Sequence, residues 1–197
     1  MNARERALIL ETRRLTLDEL TTDDAEFILE LLNGESFVRF IGDKGVRTRA
    51  DARRYIIDGP VASYERHGFG LYRVALKENG LPIGICGLLR REVLEDVDIG
   101  FALLPRHWSK GYAFESASAV LAHARETLGL GRVLAITSQD NTASIGLLGK
   151  LGFAFDRMVR LSDDDPEIKV FVSEGSRGER AARHQEGHPS ADGPGDL

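Results

Sequence analysis

The chain has 197 residues, a formal net charge of −5, 42% hydrophobic and 29% charged residues. That length suffices for one domain with a full core. The charge excludes a general nucleic-acid binder, which needs a basic surface for phosphate contacts, and suits basic or amine-bearing partners.

A single cysteine, Cys86, excludes an intrachain disulfide framework and a multi-cysteine zinc site. Its surroundings, P-I-G-I-C-G-L-L, predict a buried and inert thiol. The opening M-N-A-R-E-R-A-L-I-L-E has too short an apolar run for a secretory leader or a membrane span, so the cytoplasm is the expected location. The five histidines, His67, His107, His123, His184 and His188, are scattered without metal-ligand spacing, and no metal is expected.

In chain order, Leu8 to Leu20 alternates and predicts a first strand. Thr22, followed by Asp23 and Asp24, predicts the cap of a short helix over Ala25 to Leu32, stopped by Asn33-Gly34. Phe37 to Gly45 reads as a loop. Thr48 caps a second helix through about His67, which Gly59-Pro60 must break or kink. Three strands follow, Gly70 to Leu76, Leu81 to Leu89 and Asp96 to Leu104, the first two joined by the hairpin signal Glu78-Asn79-Gly80. A long amphipathic helix runs from Lys110 to Gly129, then a short strand from Arg132 to Thr137. Asn141 caps a helix closing at Gly152, and strands Phe153 to Leu161 and Ile168 to Val172 flank a turn at Asp163 to Pro166. Hairpin strands first, then strands alternating with helices, predict an α+β fold with a mixed sheet of about seven strands and about four helices. Residues 1–173 form this one domain. From Glu174 onward apolar residues are almost absent, and 174–197 reads as a flexible tail.

The most informative stretch is Asp98 to Glu115, D-I-G-F-A-L-L-P-R-H-W-S-K-G-Y-A-F-E. A strand feeds a short loop with a glycine at a helix start. Unpaired backbone N–H groups and the helix dipole converge there, a ready site for a phosphate or pyrophosphate. P-R-H-W-S-K-G-Y-A-F-E resembles the acyl-CoA pyrophosphate loop of GNAT N-acetyltransferases, in the wording of the RimJ/RimL-like branch, P-x-x-W-G-K-G-Y-A-x-E. It matches at Pro105, Trp108, Lys110, Gly111, Tyr112, Ala113 and Glu115 and departs at Ser109, where that branch usually has glycine. A second block, N-T-A-S-I-G-L-L-G-K-L-G-F from Asn141 to Phe153, resembles the later GNAT motif, in the expected order and at about the expected separation. The resemblance spans roughly Leu10 to Val172.

The resemblance implies an acetyl-CoA-dependent N-acetyltransferase of GNAT fold. It would act on a primary amine, a protein N-terminus or a small molecule, by direct attack in a ternary complex, without metal; a homodimer is one assembly it allows. Asp98 stands where the branch carries a carboxylate, usually glutamate, and is the candidate base-side residue; by alternation it shares a face with the small Gly100 and Ala102. Phe101, Ala102 and Leu103 would offer backbone groups to pantetheine. Arg106, Ser109, Lys110, Gly111, Tyr112 and Ala113 would surround the pyrophosphate. Asn141 would contact CoA besides capping its helix. Ser144 resembles the branch's serine near the CoA sulfur, a candidate to help the thiolate leave. Leu148 occupies the position where many relatives have a tyrosine acid, and Gly149 that of a usual glutamate. Arg47, Arg49, Arg53 and Arg54 form a basic group that reads either as a solvated face or as an acidic-substrate contact. A catalytically weak acyl-CoA-binding module is the alternative function. A dinucleotide-binding oxidoreductase is disfavoured by the lack of G-x-G-x-x-G in a strand-turn-helix context.

Overall fold

The computed structural model describes residues 6–162 and 165–173; the expected tail, 174–197, and part of the expected turn at Asp163 lie outside the described residues. A single mixed sheet holds eight strands in the order β1-β2-β3-β4-β5-β6-β8-β7. They are β1 (Leu8–Glu11), β2 (Leu15–Glu19), β3 (Leu71–Leu76), β4 (Pro82–Leu89), β5 (Asp98–Leu103), β6 (Leu134–Thr137), β7 (Phe153–Val159) and β8 (Ile168–Ser173). β1 to β5 form an antiparallel meander, the β5–β6 pair is parallel, and β6–β8–β7 is antiparallel again.

The helices are α1 (Ala25–Asn33), α2 (Glu35–Ile41), α3 (Arg49–Ile56), α4 (Ala62–His67), α5 (Tyr112–Glu126) and α6 (Thr142–Lys150). A π-helical turn, Ile57–Val61, carries α3 directly into α4. Pro60 sits inside this wider turn, where its missing N–H is absorbed by the register change, so the expected break is a bulge within one helical body. The Thr48 hydroxyl accepts from the Asp51 N–H at 3.1 Å, and the Asp51 carboxylate accepts from the Thr48 N–H at 2.9 Å, a reciprocal cap.

Two expectations need correction. Leu8 to Leu20 is a hairpin of two strands, because Thr12 turns the chain: its hydroxyl accepts from the Leu15 N–H at 3.0 Å. Phe37 to Ile41 is helical, with Phe37, Phe40 and Ile41 at the i, i+3, i+4 spacing of one helix face. The eighth strand and the additional helix arise from these two segments.

The sheet separates two apolar clusters. On one face α5 sets Ala117, Val120, Leu121 and Ala124 against Leu17, Tyr72, Val74, Cys86, Leu88 and Ile99. On the other, Phe27, Ile28 and Leu31 of α1, with Ala52 and Ile56 of α3, pack on Ile85 and Leu104. Alternation along β5 sends Ile99, Phe101 and Leu103 toward the first cluster and Ala102 toward the second. Cys86 is fully buried, and burial pushes its thiol up to about 12 despite a hydrogen bond with Ser116.

Candidate active site

Two parallel strands that part company create the site. β5 and β6 share one register pair, Asp98 with Leu134, beside a Leu134 N–H to Val97 carbonyl bond of 2.9 Å. From Ile99 onward the β6-facing backbone of β5 has no strand partner. A cleft of about 970 Å³ opens there, walled by Ile99–Pro105 of the β5 end, by Ala135–Thr137 of β6 and by the start of α6, and roofed by Phe37, Phe40 and Ile41 of α2.

The loop after β5 closes one end. Pro105–His107 forms a 3-10 turn, and the Trp108 indole N–H donates to the Leu103 carbonyl at 2.7 Å, fixing the strand end to the loop. Gly111, at φ +81°, turns the chain into α5; the first helical bond, Glu115 N–H to Gly111 carbonyl, is 3.0 Å. The N–H groups of Gly111, Tyr112, Ala113 and Phe114 therefore have no helical acceptor, and all four residues line the cleft. His107 is 8% exposed, lines the same space, and neither ring nitrogen has a protein partner. Burial, then Lys110 and Arg106, hold its pKa below the usual 6.5, so the ring is neutral at pH 7. An orphaned imidazole and a fan of free N–H groups fit a phosphate-bearing ligand.

Glu115 explains why this loop stays in place. Its carboxylate accepts from the Thr12 hydroxyl at 2.7 Å, from the Arg14 N–H at 2.8 Å and from Arg14 Nε at 2.7 Å. Arg14 also donates to the Lys110 carbonyl at 3.0 Å and lies 4.5 Å over the Tyr112 ring. Burial alone raises the Glu115 pKa; the bonds from Thr12 and Arg14 outweigh it and hold it below the ordinary value. The β1–β2 turn is thus riveted to the first turn of α5.

Ser109 stands in the left-handed region, φ +58°, alone among the described non-glycine residues. That conformation costs an ordinary residue about 1 kcal/mol or more, which accounts for glycine in the resembling motif. Ser109→Gly is expected to raise stability slightly, by roughly half a kcal/mol once the added backbone entropy of glycine is counted. Ser109→Val is expected to lower stability by about 2 kcal/mol; thermal unfolding of both variants checks the pair.

Of the residues expected around a cofactor, Phe101, Ala102, Leu103, Ser109, Gly111, Tyr112, Ala113, Asn141 and Ser144 all line this cleft; Arg106 and Lys110 do not. Arg106 pairs with Glu30 of α1, and Lys110 is held through its carbonyl. Asn141 accepts from the Ser144 N–H at 3.0 Å, capping α6. The Ser144 hydroxyl makes no hydrogen bond to described residues, and Leu148 belongs to the core. Asp98 is fully buried at the fork of β5 and β6, outside the cleft lining, with both carboxylate oxygens on Arg91 Nε at 3.0 and 3.2 Å. Arg91 does line the cleft.

Residues 14–154 match the family description "Acetyltransferase (GNAT) domain". The chain belongs to the GNAT acetyltransferase family. It is similar to the uncharacterized N-acetyltransferase YoaA of Bacillus subtilis (strain 168), 32% identical over 77% of this chain and 86% of the relative. An acetyltransferase from Agrobacterium tumefaciens str. C58 superposes at a TM-score of 0.72 and 25% identity, covering 84% of this chain and 93% of that one. RimL, a ribosomal L7/L12 alpha-N-protein acetyltransferase solved in complex with coenzyme A, shares the fold: TM-score 0.71, 15% identity, 84% of this chain and 96% of that one. This GNAT domain is an N-acetyltransferase. Among its described residues no group of three or more His, Cys, Asp or Glu is placed to hold a metal, and no helix is long and apolar enough to cross a membrane.

Sequence reasoning missed the far end of the cleft in this GNAT domain. Phe37, Phe40 and Ile41 roof it, and Lys44, Arg91 and Leu161 also line it. The helical spacing of the three α2 residues was a readable signal; Lys44 and Arg91 lie in loops, where no periodicity marks them. The basic group at α3 is largely committed elsewhere: Arg47 to Asp43, Arg49 to Glu26 and Arg54 to Asp51, all exposed pairs.

Proposed function

We propose that this protein transfers the acetyl group of acetyl-CoA to a primary amine by direct attack in a ternary complex, in the manner of the RimJ/RimL-like branch. The observation that carries this reading is the continuity of the cleft. One open wedge runs from the free N–H groups of α5, along the unpaired edge of β5, to the space under α2. A thin thioester arm lying along that edge brings its carbonyl to an amine entering from the α2 end, and holding both reactants so supplies much of the acceleration.

The amine nitrogen forms the new C–N bond while the C–S bond breaks and sulfur keeps the electron pair. The nitrogen loses its proton to water. Ser144, with a hydroxyl unclaimed by the described residues, is the group that donates a hydrogen bond to the departing thiolate. His107 and the N–H groups of Gly111 to Phe114 would hold the pyrophosphate. Asp98 acts one step back, as the positioning residue that neutralises and aims Arg91.

Closure of Asp98 behind Arg91 also supports a second reading, an acyl-CoA-binding module without turnover. Free thiol release from acetyl-CoA across N-terminal peptides and small amines, with calorimetry of CoA binding, separates the two. Amine-dependent release is the expected result. Binding without release on any amine favours the module, and no binding overturns both.

A further inference from the structure

Among the described residues the acceptor end of the cleft carries two basic side chains, and the one carboxylate that lines the cleft, Asp140, is paired with Arg39. Lys44 lies in the loop between α2 and α3, and Arg91 just beyond β4; both line the cleft. The neighbouring Asp43 does not neutralise Lys44, because its two carboxylate oxygens accept from Arg47 at 2.9 and 2.5 Å. The loop is itself ordered: Asp43 accepts from the Gly45 N–H at 2.8 Å, and Asn33 at the end of α1 donates to the Val46 carbonyl at 2.8 Å. Arg91 spends only its Nε on Asp98, and its two terminal nitrogens make no hydrogen bond to described residues.

Three carboxylates lie nearby among the described residues. Asp98 is buried beneath Arg91, Asp140 lines the cleft but is paired with Arg39 at 3.3 Å, and Asp165 lies outside the lining while its charge acts on Lys44. The two cations lie close enough to feel each other: partial desolvation, then the charge of Arg91, hold the Lys44 amine below its usual value, with Asp165 opposing. Lys44, whose neighbour Asp43 is spent on Arg47, and the two terminal nitrogens of Arg91, whose Nε alone meets Asp98, together form a place for an anion. A polycationic amine entering there meets repulsion from Lys44.

We propose that the acceptor amine carries a carboxylate close to its reacting nitrogen, received by the free face of Arg91 together with Lys44. This rests on the acetyltransfer reading and narrows its substrate class. The same chemistry is offered by a free amino acid and by a peptide with Asp or Glu next to its N-terminus.

The test measures kcat/KM on matched acceptors: amino acids against their carboxamides, short peptides with Asp against Lys at the second position, and spermidine. Wild type is expected to favour the acidic member by about tenfold or more, as a charge-assisted contact implies. In Lys44→Ala that ratio falls toward one, and in Lys44→Glu it inverts, while Arg49→Ala, on an exposed pair outside the cleft, retains it. A preference confined to amino acids identifies a small-molecule acceptor, and one confined to peptides a protein N-terminus; both support the proposal. Turnover with equal rates on each pair, or a preference for spermidine, overturns the carboxylate proposal alone. Absence of turnover on every amine while CoA binds overturns the acetyltransfer reading beneath it.

Discussion

Gly87→Ala is expected to lower the unfolding free energy by about 3 kcal/mol, the sum of overpacking and a lost ladder bond. A methyl group at Gly87 would lie 2.0 Å from the Gly70 carbonyl oxygen and 2.8 Å from the Leu71 Cα, both backbone atoms that no rotamer change can move aside. The β3–β4 ladder has to open at Leu71, and the Leu88 N–H to Gly70 carbonyl bond of 3.1 Å goes with it. For a chain of this size such a loss moves the melting temperature down by roughly 6 to 12 °C. Gly87 also pairs with Gly100 on β5, so the strand that edges the cleft shifts with it. Gly149→Ala is the control of opposite sign. Nothing lies within 4 Å of a Cβ there, and alanine in α6 gains about 1 kcal/mol of helix propensity. Thermal unfolding of the two variants reads both effects, and a Gly87→Ala protein melting with wild type would refute the steric argument.

The donor half of the site was legible because its chemistry is local. A phosphate pocket made from backbone N–H groups needs only a strand, a tight loop and a helix start, all contiguous from Asp98 to Glu115, and the second motif adds Asn141 and Ser144 within one turn of each other. What holds that loop was not legible. Glu115 is a bare letter in the motif, and its partner Arg14 lies 101 positions away. The Thr12 turn has no glycine or proline to announce it, and the hydroxyl that shapes it also bonds to Glu115. The acceptor half depends on two loops, carrying Lys44 and Arg91, that meet only once the sheet has folded. Four arginines clustered in sequence near α3 drew attention as a substrate contact, yet those on Asp43, Glu26 and Asp51 face solvent. Lys44 and Arg91, which do line the cleft, lie 47 positions apart in sequence.

Asp98→Asn should separate stability from activity. Burial raises the Asp98 pKa from its usual 3.8, while the Arg91 charge and hydrogen bonds draw it back without cancelling the rise. A carboxylate with a raised folded-state pKa contributes stability below its unfolded value and loses it as pH rises through the folded one. The ionised form of the side chain is therefore a cost to the fold. Asparagine removes that cost, keeps the shape, and still accepts from Arg91 Nε through Oδ1. The melting temperature at pH 7 is expected to hold or rise. The aim of Arg91 loosens, however, because a charge-assisted bond becomes a neutral one. A loss of roughly tenfold to a hundredfold in kcat/KM follows from the 1.5–3 kcal/mol that such bonds contribute. The pH profile decides what kind of residue Asp98 is. With Asp98 as a positioning residue, the rise of kcat/KM with pH belongs to the acceptor amine and persists in Asp98→Asn, displaced downward as a whole. If Asp98 itself takes the proton, wild type shows an acidic limb, displaced upward from the ordinary carboxylate value, that vanishes in the variant. The seat of the side chain favours the first outcome. Both of its oxygens are spent on Arg91, and nothing of it reaches the cleft.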